Sequence, residues 1–420
     1  MKKSLFALAA TTAFAGAAQA QSSVTVYGLI DAGYVGYNAR VASGTAVTKS
    51  TGNSFNSNAE STSRLGFKGT EDLGGGSSAF FTVELGLEPA SSTSGFKNSA
   101  TTENRQSFVG LKKNGIGDFA FGTQYTLIQQ SAAQTSASGL NNILGDMVYT
   151  SATGYNTTNT ATASNTYNPA EAAAAGLPYS IRTQNTLTLN SDTFAGFKAH
   201  GAIVMNNNNS SQTTLSGING YTGGTNNQNG WQLGADYTWK ALFATVAYQS
   251  FNAKNSYNLA GAANIPAAGA TAANISLFSP AQSSTLGSNV KDNQFYAAAT
   301  YDFGILKAYA QYVNRKVTAQ QDSGYYAKRT GQQIGVKSFI TPTIEAWAQG
   351  GLGKYTAFGS SNPAANLTSW QIGSNYWLSK RTNLYAIYGQ IGTSNVSIVA
   401  NQNPGSFNAS NYAVGIRHTF

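Results

Sequence analysis

The chain of 420 residues contains no cysteine. Disulfide staples, thiolate metal ligands and cysteine nucleophiles are therefore excluded. Its two histidines, His200 and His418, sit on separate strand-like segments, so no metal-ligand cluster is written into the chain. No Gly-x-Ser-x-Gly elbow leads from a strand into a helix. His200 is left as the one base for hydrolytic chemistry, and the expectation is no enzyme, no catalytic residues, no metal and no cofactor. Charge is also scarce. Asp, Glu, Lys and Arg make up 10% of the chain, against roughly 25% in ordinary globular domains. A soluble protein so poor in charge is prone to association. Beyond the first twenty residues no stretch approaches about 18 consecutive apolar side chains, which excludes a helical membrane span in the remainder.

Glycine (45), tyrosine (23) and phenylalanine (21) are abundant instead, with many Asn, Ser and Thr. The first residues have the grammar of an export signal: Met1-Lys2-Lys3 is positive, Ser4 to Ala18 is small and apolar, and Ala18-Gln19-Ala20 is a small-x-small cleavage site. Cleavage after Ala20 is expected, so residues 1–20 form a signal peptide and 21–420 a single domain. Formal charge is +9. The basic residues are scattered rather than clustered among aromatics, which argues against a nucleic-acid partner. The excess suits either a mildly basic surface or a basic lumen that favours anions.

Period-two alternation recurs along the whole chain. Strands are expected near 24–37, 61–70, 78–88, 104–113, 118–126, 181–190, 196–205, 230–239, 242–252, 291–303, 305–317, 329–341, 344–355, 367–378, 383–392 and 409–420, sixteen in all. Trp231, Leu233, Ala235 and Tyr237 oppose Gln232, Gly234, Asp236 and Thr238. Leu306, Ala308, Ala310 and Tyr312 oppose Lys307, Tyr309, Gln311 and Val313. Connections alternate strictly. Short ones include 74–77, 114–117 and 240–241; long polar ones include 38–60, 127–180, 206–229 and 253–290. A propeller does not place its long connections on one side only, and a β-solenoid shows a short fixed repeat that is missing here. The fold expected is all-β: a sixteen-stranded antiparallel transmembrane barrel with short periplasmic turns and long outer loops. The last strand, with Tyr412, Val414, Ile416, His418 and Phe420 on one parity, closes it against 24–37.

Several motifs resemble Gram-negative sixteen-stranded general porins. Ser23-Val24-Thr25-Val26-Tyr27-Gly28-Leu29-Ile30-Asp31-Ala32-Gly33 is similar to their first strand. Ser63-Arg64-Leu65-Gly66-Phe67-Lys68-Gly69-Thr70-Glu71-Asp72-Leu73-Gly74 is similar to the second strand and its turn. Arg105-Gln106-Ser107-Phe108-Val109-Gly110-Leu111 resembles the fourth, Arg182-Thr183-Gln184-Asn185-Thr186-Leu187 the sixth, and Phe420 completes the match. The resemblance implies an outer-membrane homotrimer of the anion-preferring branch, embedded in lipid and lipopolysaccharide. It also implies an inward-folded third loop, 127–180, as the constriction. Phe420 is then read by the barrel assembly machinery. The family often carries Gly-Arg-Gln where this chain has Gly122-Thr123-Gln124, so an arginine is missing there.

A channel needs a narrow cross-section with oriented charges rather than a catalytic group. Leu65 and Phe67 outward turn Arg64 and Lys68 into the lumen. Phe108 outward places Arg105 inward, and Leu187 and Leu189 outward place Arg182 inward. These three arginines match the family's basic wall, and arginine suits it because it stays charged and offers a planar fork. Lys307, Arg315, Lys337 and Arg417 share the lumen parity, Asp31 is a candidate anchor for one of these cations, and Asp146 is the candidate loop acid opposite the arginines. The function expected is passive diffusion of small hydrophilic solutes, anions preferred. A substrate-specific porin for an anionic or sugar solute, or an adhesive surface barrel, are the alternatives.

Overall fold

The computed structural model describes residues 23–43, 46–90, 103–148, 182–214, 221–255, 257–258, 288–320, 326–356, 364–396 and 405–420. The expected signal peptide, 1–20, lies outside them, as does 149–180 of the third connection. The strands are β1 (Ser23–Ser43), β2 (Ala46–Ser57), β3 (Arg64–Gly74), β4 (Ser77–Gly86), β5 (Asn104–Lys113), β6 (Gly117–Tyr125), β7 (Arg182–Ser191), β8 (Phe197–Thr214) and β9 (Tyr221–Trp239). They continue as β10 (Leu242–Asn255), β11 (Tyr257–Asn258), β12 (Ser288–Asp302), β13 (Lys307–Ala319), β14 (Tyr326–Phe339), β15 (Ile344–Thr356), β16 (Ala364–Trp377), β17 (Thr382–Val396) and β18 (Gly405–Thr419), and among the described residues there is one helix, α1 (Leu127–Thr135).

These segments make sixteen staves. β1 pairs with β3 from Ser23↔Thr70 to Leu29↔Arg64 and with β2 from Ala32↔Ser57 to Ser43↔Ala46. β2 and β3 are therefore two halves of one stave, parted at 58–63. β11 likewise continues β10 alongside β9. All pairings are antiparallel neighbours, and β1 meets β18 from Leu29↔Thr419 to Ser43↔Gly405. No sheet edge is left at the closure, which removes the template for edge-to-edge aggregation.

Alternation explains the wall. Val24, Val26, Phe67, Val109, Leu111, Phe121, Leu233, Val336, Ile372 and Val414 are exposed on the outside. An apolar belt of that extent is intolerable in water and appropriate in lipid. Their neighbours Gln232, Gln249, Gln311, Gln333, Gln349 and Gln371 are buried on the inside. Short turns join the staves at one end. Gly74, Gly75 and Gly76 have φ of 80°, 60° and 76°, a left-handed run that residues with a Cβ resist.

The outer connections differ from expectation. Residues 38–60 are not a free loop, because β1 and β2 stay paired as far as Ser43↔Ala46. The stretch 206–229 is mostly ladder too, paired from Asn206↔Gln228 to Thr214↔Tyr221. Polar residues on both parities read as loop, yet backbone pairing needs no apolar face to continue a ladder.

The break at 58–63 turns on Asn58, left-handed at φ 70°. Asp31 is fully buried beneath it. Its carboxylate accepts the Glu60 and Ser61 N–H groups at 2.7 and 2.6 Å and the Tyr385 hydroxyl at 2.6 Å. Such charge-assisted bonds replace the ladder that the interrupted stave gives up.

Candidate functional site: an arginine wall facing an inward segment

After β6 the chain turns into the barrel. Thr126 caps α1, its hydroxyl accepting the Gln129 N–H at 3.2 Å. The helix packs on β8, β9, β10, β12 and β13, burying Leu127, Ile128 and Ala132 with Tyr296 and Val313. Inward-facing amides then receive the polar backbone of 127–148. Gln232 accepts from Leu127 N at 2.8 Å, Gln349 from Ser138 N at 3.2 Å, Gln333 from Met147 N at 2.6 Å and Asn411 from Leu144 N at 2.9 Å. Gln371 exchanges bonds with Asn141 at 2.7 and 3.0 Å and donates to the carbonyls of Ile143 and Leu144 at 3.0 and 2.9 Å. Arg329, which the strand pattern did not single out, donates to Met147 O. The segment lies on a floor of glycines. A Cβ on Gly389 would sit 1.7 Å from Leu144 O, and one on Gly351 2.5 Å from the Met147 side chain. Asn142 ties the far end to the stave break, donating to Asn58 O at 2.6 Å.

Opposite this segment, Arg64, Arg105 and Arg182 line one cavity of about 460 Å³ together with Tyr125, Gln129, Gln130 and Gly139. Only Arg64 follows simple alternation. At Arg105 the register slips between Glu84↔Gln106 and Leu85↔Asn104, leaving Arg105 as the extra residue of a bulge. Phe108 stands opposite Thr82 on the lumen face and meets Phe80 edge-on at 6.3 Å, so the expected outward Phe108 is corrected. At Arg182 a second slip sets Gln184 and Asn185 against Thr123, with Asn185 at φ 51°. Both bulges re-aim an arginine, which period-two counting cannot foresee.

The electrostatics are uneven. Arg105 is 4% exposed and is held by Glu84 at 2.7 Å and the Tyr125 hydroxyl at 2.8 Å. Arg182 meets Glu103 at 3.2 Å and lies over the Tyr125 ring at 5.2 Å. Arg64 donates to neutral oxygens, Thr62 O at 3.0 Å and Ser61 Oγ at 2.8 Å. Among the described residues, three guanidiniums therefore stand beside two carboxylates. Asp146 is not among the cavity's lining residues. It is fully buried and accepts from Gln349 at 3.2 Å, from Ser136 and Ser138 at 3.3 Å and from Val148 N at 2.9 Å. The acids beside the arginines are on the wall itself, and Glu84 was legible as a lumen-parity residue of 78–88.

The remaining candidates are spread along the lumen. Lys68 lies 5.4 Å from the Tyr27 ring. Lys307 and Lys337 stand directly opposite each other; Lys337 pairs with Glu345 at 3.1 Å. Arg315 grips Asp292 at 2.5 Å, and Arg417 reaches Asn383 at 3.0 Å and Glu60 at 3.5 Å. Asp31 is occupied by backbone and tyrosine donors, as described above, rather than by one of these cations. The Phe420 ring covers Gly28 on the lipid side, and the two residues exchange backbone bonds at 3.1 Å.

This arrangement has known counterparts. A family model described as Gram-negative porin matches residues 7–396. An outer membrane porin protein of Bordetella pertussis is 40% identical over 136 residues, 30% of this chain and 34% of that protein. Outer membrane porin protein 32 of Delftia acidovorans is 48% identical over 84 residues, 20% of this chain and 22% of its own. The matched segments thus span about a third or less of these relatives. An anion-selective porin from Comamonas acidovorans superposes with a TM-score of 0.61 at 20% identity, covering 95% of this chain and 100% of its own. The trimer form of OmpT from Vibrio cholerae superposes with a TM-score of 0.56 at 12% identity, over 95% and 99%. At these identities the likeness shows the fold. With its family match running over most of the sequence, the chain belongs to the Gram-negative porin family, as a multi-pass β-barrel of the outer membrane and not an enzyme.

Proposed function

We propose that this protein is a water-filled channel for passive diffusion of small hydrophilic solutes, with anions preferred. The observation that carries the reading is the shared cavity where Arg64, Arg105 and Arg182 face α1 with two carboxylates between them. At a constriction an ion loses part of its water, so one uncompensated guanidinium weighs more there than in the open lumen. The Comamonas acidovorans porin that shares this fold is anion-selective, which supports the same reading. The residues 127–148 act as the constriction, and 149–180 belong to the same connection. The working unit is a homotrimer, supported by the trimeric OmpT fold, surrounded by outer-membrane lipid and lipopolysaccharide. Phe420 serves as the assembly signal. Cleavage after Ala20 releases the mature chain.

Reconstitution into a planar bilayer under a salt gradient tests this. The expected reversal potential has the sign of anion preference. Cation preference would refute the selectivity, and absence of conductance would refute the channel.

A further inference from the structure

On the lumen face a polar row crosses four neighbouring strands, β6 to β9, away from the arginine cavity. Asn190 Nδ2 donates to Asp118 Oδ1 at 2.7 Å. A carboxylate only accepts, so this contact fixes which end of the amide faces Asp118. The amide oxygen is thereby turned to His200 Nδ1 at 2.7 Å. That oxygen accepts, so Nδ1 carries a hydrogen. On the other side His200 Nε2 lies 3.1 Å from Asp236 Oδ2, and there too only an N–H completes the contact. A neutral imidazole has one N–H; a ring that donates from both nitrogens is an imidazolium.

Among the described residues, the row's other charges are Lys198, opposite Asp236 on β8 and β9, and Lys112, opposite Asp118 on β5 and β6. From β10, Thr245 stands opposite Asp236 and bonds Ser131 of α1 at 2.9 Å. The helix itself brings no charged residue in its first or last turn. With His200 protonated the row holds three cations and two anions; without that proton it is balanced. The His200 and Asp236 side chains are 12% and 14% exposed, enough for exchange with lumen water.

We propose that His200 is a proton-controlled selectivity residue: protonated, it adds a cation to the lumen, and its deprotonation lowers the anion preference. The inference rests on the channel reading above. His418 does not share this role, since it lies on the lipid-facing parity and bonds Thr382 at 2.9 Å.

The test is the reversal potential of wild type and His200→Gln in one salt gradient, between about pH 5 and pH 8, the interval over which histidine ordinarily changes charge. In wild type the anion-over-cation permeability ratio should fall about fourfold on going alkaline, since one unit charge at about 10 Å in water favours the anion and disfavours the cation by about twofold each. In H200Q the fall should be smaller by that factor, because other carboxylates of the wall contribute equally to both channels. A wild-type ratio that does not move, or one that moves equally in H200Q, overturns the proposal. Ring ¹⁵N spectra of histidine-labelled protein give a second measurement that needs no substitution at position 200. With two histidines in the chain, His418→Gln leaves a single ring to follow. Two protonated nitrogens at the acid end and one at the alkaline end are expected. A neutral ring throughout would sink the idea. Loss of all conductance would instead sink the channel reading and this proposal with it, whereas conductance without a pH response sinks this one alone.

Discussion

Gln371→Leu isolates what holds the inward segment. Gln371 is fully buried and makes four contacts to 141–144, at 2.7, 3.0, 3.0 and 2.9 Å, besides accepting from Trp347 Nε1 at 3.2 Å. One Nε2 group serves three of these acceptors, so the four contacts amount to about three full bonds. At about 1 kcal/mol net each, their loss weakens docking by about 3 kcal/mol. That is on the order of a hundredfold in the docked-to-undocked ratio, since about 1.4 kcal/mol is tenfold. Leucine has almost the same volume, and the ladder from Ile344↔Tyr376 to Thr356↔Ala364 uses backbone groups alone. The barrel should therefore form. Single-channel recording should then show open-channel flicker and a raised mean conductance. Gln390→Leu, which removes a contact to Asn408 at 3.3 Å near the outer rim, should leave the trace unchanged. A Q371L channel with the conductance and noise of wild type would refute the view that these amides hold the constriction.

Other substitutions test the wall. Arg64→Ala should lower the anion-over-cation permeability ratio by about two- to fivefold, because it leaves two guanidiniums against two carboxylates; an unchanged reversal potential would count against the charge argument. Glu84→Gln should raise that ratio in the same assay, as it frees the charge of Arg105 while keeping a hydrogen-bond acceptor; a fall would contradict it. Gly389→Val should lift the inward segment, since the new Cβ would sit 1.7 Å from Leu144 O; larger conductance with intact barrel mobility on electrophoresis is expected. Asp31→Ala leaves three donors without an acceptor, at about 1–3 kcal/mol each, and should lower the temperature at which the barrel loses its heat-modifiable mobility. Equal melting would show that the stave break does not depend on this carboxylate.

Much was readable before any coordinate. An extended chain turns successive side chains to opposite faces, so a row such as Trp231, Gln232, Leu233 declares lipid on one side and water on the other. Short polar turns alternating with long connections then fix the ends of the barrel, and an even strand count lets it close. Parity alone leads Arg64 to the shared cavity, whereas Arg105 and Arg182 reach it by bulges. What alternation cannot carry is any event that changes its phase. The bulges at Arg105 and at Gln184-Asn185, the parted stave at 58–63 and the paired hairpins read as loops all depend on which partner strand lies alongside. The course of 127–148 is more distant still from local pattern, because its donors and acceptors are glutamines some 105 to 230 residues away. The sequence by itself determined the two solvents and the closed sheet, since period and polarity are properties of neighbours in the chain. Only the tertiary structure decided where the charges point and where 127–148 lies, because those are set by contacts between residues that the sequence keeps apart.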